Sequence, residues 1–285
     1  MFKNYTICER KIRIDMPYFP NDSADWRLFE NDENNPDISI NCYIQEQLPE
    51  IPGAFCGEQG EFRIFSVGEK IFRKRQMGIV DGALAEYNCN GGSGCNVWFT
   101  SQSFPYMTDE RYFWSSVPLA QLLLPKKVAL MHASYVDISG SAVLFTAPCG
   151  TGKSTQAELW RVHRNAEVIN GDKAGIYLKY GKAFAGGLPF CGTSKICKNR
   201  NLPLKAIVLL SQGKENCVKR LKGFEALQGV INNIYLDFLA PLEKQMCIDF
   251  VIELLEQVDV FSLQCTPDER AVEELEKALK NCEIY

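Results

Sequence analysis

Residues Thr146–Thr155 read TAPCGTGKST and follow the apolar run Ala142–Phe145 directly. This stretch constrains the chain more than any other. Backbone N–H groups converge on an anion only where small residues permit positive φ, and a helix must begin where such a loop ends. Gly150 and Gly152 supply the backbone freedom, while Lys153 and Ser154 supply an ammonium and a hydroxyl suited to terminal phosphates and Mg2+. The residues expected around a nucleotide are Cys149, Gly150, Thr151, Gly152, Lys153, Ser154 and Thr155. The usual motif opens on glycine. Ala147 stands there instead, and a small residue is tolerated if its φ is negative. The segment STQAELWRVH has strong helix formers and no breaker, so a helix should follow the loop.

A phosphate cradle alone defines no reaction; an acidic residue must also orient Mg2+ or take a proton from the acceptor. Asp172, in AEVINGDK, is the leading candidate: an apolar strand ends and a carboxylate appears in a glycine-containing turn. Asp137, near the Ser139-Gly140 turn, is the second. For both, a turn-capping carboxylate is the plain alternative.

The first hundred residues alternate in the manner of half-buried strands, as in YTICERKIRID, DISINCYI, EFRIFSV and EKIFRKR, between turn-rich pieces such as PYFPNDSAD (Pro17–Asp25). NCNGGSGCN is read as a hairpin tip between LAEY and VWFT. Beyond Thr108 helices and buried strands take over. DERYFWSSVPLAQLLL reads as a helix that Pro118 kinks or restarts. KVALMHA and YVDI read as strands, and GIYLKY and KAFAG as a hairpin around Tyr180-Gly181. PLKAIVLLSQ reads as a buried strand. LEKQMCIDFVIELLEQV carries Met246, Phe250 and Leu254 on one helical face. Thr266 is expected to cap a last helix, with Glu269 reaching back.

The chain has 285 residues, 46% of them hydrophobic, 23% charged, and a net charge of -4, which is ordinary globular material. The slight acidity gives no electrostatic case for nucleic acid or an anionic membrane. The basic cluster FRKRQ (Phe72–Gln76) is read as a solvated face. The opening residues lack an apolar signal core and no stretch is apolar enough to span a bilayer, so a cytoplasmic location is expected. Twelve cysteines run from Cys8 to Cys282 without a C-x-x-C pair, and only His132 and His163 accompany them. Reduced thiols serving as small hydrophobes fit better than a zinc site or a disulfide framework.

The order HASYVDISGSAVLFTAPCGTGKST, then AEVINGDKAGIYL, resembles the HPr kinase/phosphorylase family and its relatives among the PEP carboxykinase-like kinases. GGLPFCGTSK (Gly186–Lys195) and NLPLKAIVLLSQ with GKENCVKRL look like a short branch linked to peptide-modification systems, some members of which phosphorylate serine in a peptide. The likeness covers about residues 127–221. It implies an α/β fold: a hairpin-rich mixed sheet with a P-loop and flanking helices over 108–285. Residues 1–107 would form a preceding β-rich region for substrate or partner binding.

The resemblance also implies ATP and Mg2+ as cofactors and an acceptor hydroxyl on a peptide or small molecule. Lys153 would hold the terminal phosphates and Ser154, with Thr155 beside it, would contact Mg2+. Asp172 would be general base or metal ligand, tuned by His132. Lys195 and Arg200 would clamp phosphate or substrate. A satisfied core histidine remains the alternative for His132, and a solvated loop for Lys195 and Arg200. The sequence departs from the family at one point: the pair of adjacent acidic residues is reduced to Gly171-Asp172-Lys173. Either Asp172 serves alone or Lys173 replaces a metal charge. This counts against phosphorylase-type reversal, and the absence of the HPr kinase's long acidic helix and own-family signature counts against HPr as substrate. The departure leaves open a nucleotide-binding adaptor that presents a peptide to a partner enzyme.

Overall fold

The computed structural model describes residues 1–19, 24–77, 80–192, 194–236 and 240–280. Pro17–Asp25, Gly186–Lys195 (at Thr193) and Cys282 therefore lie partly or wholly outside the described residues. The protein is mixed α/β, with two large sheets and seven α-helices among the described residues. Two compact units form: Met1–Lys126 with Leu236–Met246, and Lys127–Tyr235 with Cys247–Tyr285. The expected boundary after residue 107 falls inside the first unit.

The first unit carries β1 (Phe2–Ile7), β2 (Arg10–Asp15), β3 (Glu30–Asn31), β4 (Ile38–Gln45), β5 (Ala54–Gln59), β6 (Phe62–Val67), β7 (Lys70–Met77), β8 (Val80–Asn88) and β9 (Gly94–Thr100). Their order is β3-β1-β2-β4-β9-β8-β7-β6-β5. The pairs β2–β4 and β4–β9 are parallel, and the strands from β5 to β9 form an antiparallel meander. YTICERKIRID is not one strand but a hairpin, turned at Cys8 (φ 49) and Glu9 (φ 59). Two successive positive φ values make the tight turn, without the Asn-Gly signal that usually marks it.

Three helices join this sheet: α1 (Ala24–Arg27), α2 (Glu110–Ser116) and α3 (Leu119–Leu123). Pro118 restarts the helix, because the residue before a proline is driven extended and Val117 sits at ψ 134. The core is aromatic, with Trp26 4.8 Å from Phe113 and 5.2 Å from Trp114 between ring centroids. The FRKRQ cluster is not a solvated face. Arg73 is 2% exposed, lies 3.3 Å from the Phe62 ring centroid and donates to the Ser115 carbonyl at 2.7 Å. Arg75 sits 4.2 Å from the Tyr112 ring centroid. Their guanidinium planes stack on rings, and the Nη1 groups of Arg73 and Arg75 donate to backbone carbonyls, which offsets part of the desolvation.

The second unit carries β10 (Val128–Ile138), β11 (Ser141–Thr146), α4 (Lys153–Arg164), β12 (Glu167–Asn170), β13 (Lys173–Lys179), β14 (Lys182–Gly186), β15 (Asn201–Gln212), β16 (Cys217–Leu221) and α5 (Gly223–Ile231). After α6 (Pro241–Leu255), which starts in the first unit, come β17 (Asp259–Cys265) and α7 (Glu269–Lys280). KVALMHA and YVDI are one strand, β10, long enough to serve several neighbours. Its first half pairs with β13, while its second half pairs with β11 on one edge and β12 on the other. β15 divides likewise between β14 and β11. The ladder β11–β10–β13–β14–β15 thus closes into a ring, and β17 extends it as a parallel neighbour of β15.

Phe145, Trp160, Val208, Leu263, Val272 and Leu275 share one core under α4 and α7. α5 lies in a stretch where the amino-acid pattern suggested no helix. Asp268, not Thr266, caps α7: its carboxylate accepts the Arg270 N–H at 3.1 Å. Thr266 supports the cap instead of forming it: its N–H donates to the Asn216 side chain, and its hydroxyl accepts from Asn216 and donates to the Asp268 carboxylate at 2.9 Å. No helix among the described residues is long and apolar enough to cross a membrane. Among the described cysteines, Cys8, Cys42, Cys95, Cys197 and Cys247 are buried, whereas Cys56, Cys149 and Cys217 are exposed.

Candidate functional site

Strand register brings the pieces together. Ala133 of β10 pairs with Thr146, the last residue of β11, on one edge. On the other edge its N–H donates to the Asp172 carbonyl at 3.0 Å. β12 and β13 run along that same edge, and Gly171-Asp172 is the break between them. The loop after β11 and the Asp172 turn therefore flank one residue of one strand, about 10 Å apart across two ladder spacings.

The loop 147–152 leaves the sheet and enters α4 with Gly150 at φ 78 and Gly152 at φ 117. Open space surrounds the position a Cβ would take at either glycine, so backbone conformation and not crowding requires glycine there. Ser154 and Thr155 stand exposed at the first turn of α4, and Cys149 is exposed on the loop. Thr151 donates its N–H to the Pro148 carbonyl at 3.3 Å. Lys153 is buried, and its ammonium folds back onto the carbonyls of Ala147 (2.9 Å) and Pro148 (3.4 Å). Burial pushes its pKa below the ordinary lysine value, partly countered by the charges of Cys149 and Asp172. The ammonium is thus held inside the loop by neutral acceptors.

Asp172 is fixed from several sides. Its Oδ1 is 3.5 Å from His132 Nδ1 and its Oδ2 is 3.0 Å from Lys173 Nζ. Gly192 lies so close that a Cβ there would meet the Asp172 carboxyl carbon at 2.7 Å. Burial, with the nearby Lys153 charge, lowers the His132 pKa, so the imidazole is neutral at pH 7. The His132 carbonyl accepts from the Thr146 hydroxyl at 2.7 Å, tying it to the start of the loop.

The resemblance had not pointed to Asn170, yet it organises this turn. Its fully buried side chain accepts from the N–H groups of Asp172 (3.0 Å) and Lys173 (3.1 Å) and donates to the Phe190 carbonyl (3.0 Å). Asn before Gly-Asp is a readable turn signal. The structure does not bring all the expected residues here. Lys195 is exposed at φ 53 on the segment that covers Asp172, and its N–H donates to Gly192. Arg200 is at the opposite end of the β10–β11 hairpin, 2.9 Å from Asp137 and also bound to Glu167. Asp137 itself accepts the Gly140 N–H at 2.7 Å, so it caps the hairpin turn. These ion pairs tie Arg200 to the sheet rather than to the loop.

No family model matches the chain, and no curated protein matches it. A distant structural neighbour is the Hpr(Ser) kinase/phosphatase from Coxiella burnetii. The match covers 53% of this chain and 99% of that one, at 10% identity and a TM-score of 0.30. The functional reading rests instead on the geometry of the loop and the Asp172 turn.

The residues present fit a nucleotide and one divalent cation. The loop offers two glycines at positive φ ahead of a helix N-terminus, an arrangement that directs N–H groups at an anion. The described residues contain no cluster of three or more His, Cys, Asp or Glu suited to a metal. A carboxylate and a hydroxyl are nevertheless what Mg2+ commonly takes from a protein when phosphates complete its shell. Ser154 and Asp172 would hold it.

Proposed function

We propose that the chain is an ATP- and Mg2+-dependent kinase that transfers phosphate to a hydroxyl, on serine of a peptide or on a small molecule. One observation carries this reading: the loop and the Asp172 turn flank Ala133, and His132, 3.5 Å from the Asp172 carboxylate, is tied through its own carbonyl to Thr146 at the start of the loop. ATP and Mg2+, when bound, supply the phosphoryl group and neutralise its charge. Lys153 and the loop N–H groups stabilise charge on the transferring group. Asp172 orients the acceptor hydroxyl and takes its proton, held in place by Asn170 and His132.

A specific contact favours a second reading. Lys173 occupies Asp172 at 3.0 Å, which suits an adaptor that binds ATP and presents a peptide to a partner enzyme. ATP turnover separates the two, with or without an acceptor. In the kinase, Asp172→Asn cuts turnover at least 100-fold. Unchanged turnover in that variant removes Asp172 from its role. Tight ATP binding with no turnover in the unmodified protein selects the adaptor.

A further inference from the structure

A cleft of about 660 Å3 opens beside the loop, a volume typical of a small-molecule site. It is lined at one end by Ala147 and Pro148, whose carbonyls hold the Lys153 ammonium. In a phosphate loop that lysine reaches the terminal phosphates, so the cleft continues from the reacting end of a nucleotide and not from its nucleoside end.

The walls have two characters. Leu209 and Ile234 present an aliphatic side. Ile234 is fixed there because its segment pairs onto β10: Met131 bridges to it, and the Tyr235 N–H donates to Leu130 at 2.7 Å. Lys173 and His132 line the other side. The Lys173 ammonium lies 3.0 Å from Asp172, between the rings of Tyr235 (5.4 Å) and Phe190 (5.6 Å). An uncharged ligand filling the cleft would desolvate this ammonium just as Asp172 turned to the acceptor. A carboxylate on the ligand would supply the missing counter-charge.

Building on the kinase reading, we infer that the cleft is the acceptor site and takes a small aliphatic hydroxy acid. The hydroxyl is turned toward Asp172, whose carboxylate lies beside the lining residues Lys173 (3.0 Å) and His132 (3.5 Å); the carboxylate meets Lys173, and the alkyl group lies against Leu209 and Ile234. The hydroxyl oxygen forms the new bond to the terminal phosphorus of the nucleoside triphosphate. The bond from that phosphorus to the bridging oxygen breaks, the diphosphate leaves with the electron pair, and the hydroxyl proton passes to Asp172.

The test is binding, read by saturation-transfer NMR and calorimetry on the full chain with a non-hydrolysable ATP analogue and Mg2+. The probes are 2-hydroxy-4-methylpentanoate, its amide, and N-acetyl-leucyl-serine with a free carboxylate. The acid is expected to bind at least tenfold more tightly than the amide. Lys173→Gln should erase that preference and Lys173→Arg should keep it, with affinity for the ATP analogue within threefold in both. Equal binding of acid and amide, or a preference that survives Lys173→Gln, overturns the inference. So does binding of the acetyl-dipeptide in place of the small acid, which would make the ligand a peptide end. If the acid preference holds but the ATP analogue does not bind, the kinase reading fails and the cleft assignment stands.

Discussion

Both units carry three parallel strands at the heart of a sheet, β2–β4–β9 in one and β11–β15–β17 in the other. Ligands gather at the carboxyl ends of parallel strands, so either could hold a site. The segments just beyond the strands tell the two apart. β9 runs into a short 3-10 helix at Phe104–Thr108, and its Ser103 N-cap is in ordinary αR geometry. β11 runs into two glycines at positive φ and a helix of 12 residues. The parallel strands give only a location; the proposed anion site depends on the backbone conformation at their exit.

The sharpest way to break this comparison is Lys153→Ala. If the proposed site is right, ATP affinity should fall at least 100-fold by calorimetry, because the ammonium assigned to the terminal phosphates is gone. Affinity that survives would put the nucleotide somewhere other than this loop. Next comes Trp160→Ala, which removes a side chain 1% exposed beneath α4. It should destabilise the second unit by about 3–5 kcal/mol in denaturant unfolding.

The parts of the site built from local signals were legible in the amino-acid order. The β11–loop–α4 unit followed from an apolar run, two glycines and a lysine at fixed spacing, and the Tyr180-Gly181 hairpin from its turn residues. The features that escaped were set by strand pairing or by partners elsewhere in the chain. The Cys8-Glu9 turn carries no turn chemistry and is imposed by the pairing of β1 with β2. Arg200 looked like a phosphate clamp until the fold placed Asp137 and Glu167 beside it. Thr266 looked like a cap until Asn216 and Asp268 took its hydrogen bonds. The Asn232–Tyr235 wall was invisible for the same reason, since β10 recruits it from some hundred residues away in the chain.

Smaller effects sharpen the contrast between the two cores. Arg73→Ala should cost the first unit about 2 kcal/mol by chemical denaturation, from the lost ring contact and charge-assisted hydrogen bond. A loss near zero would return FRKRQ to the status of a solvated face. Gly181→Ala, at φ 69, should cost about 1 kcal/mol in the second unit.

The smallest effect is a pH dependence at His132. Its folded pKa lies below the ordinary 6.5, so below that value the unfolded chain binds a proton that the folded chain refuses. Stability of the second unit should therefore decline as pH falls from the ordinary histidine value toward the lowered one. His132→Gln should flatten that slope; a slope of the same size in the variant would assign it to other groups.

The closed ladder of the second unit also sets a timetable. β11 ends at Thr146, and the residues of β15 that pair with it, Leu204–Leu209, leave the ribosome roughly 60 residues later. At about 5–20 residues per second this is a delay on the order of 3–12 s. Through that interval β11 lacks its parallel neighbour, and the glycine loop hangs from a strand paired on one side only. During synthesis, then, the strand that carries the glycine loop is completed late, and a chaperone that shields β11 would act in that window.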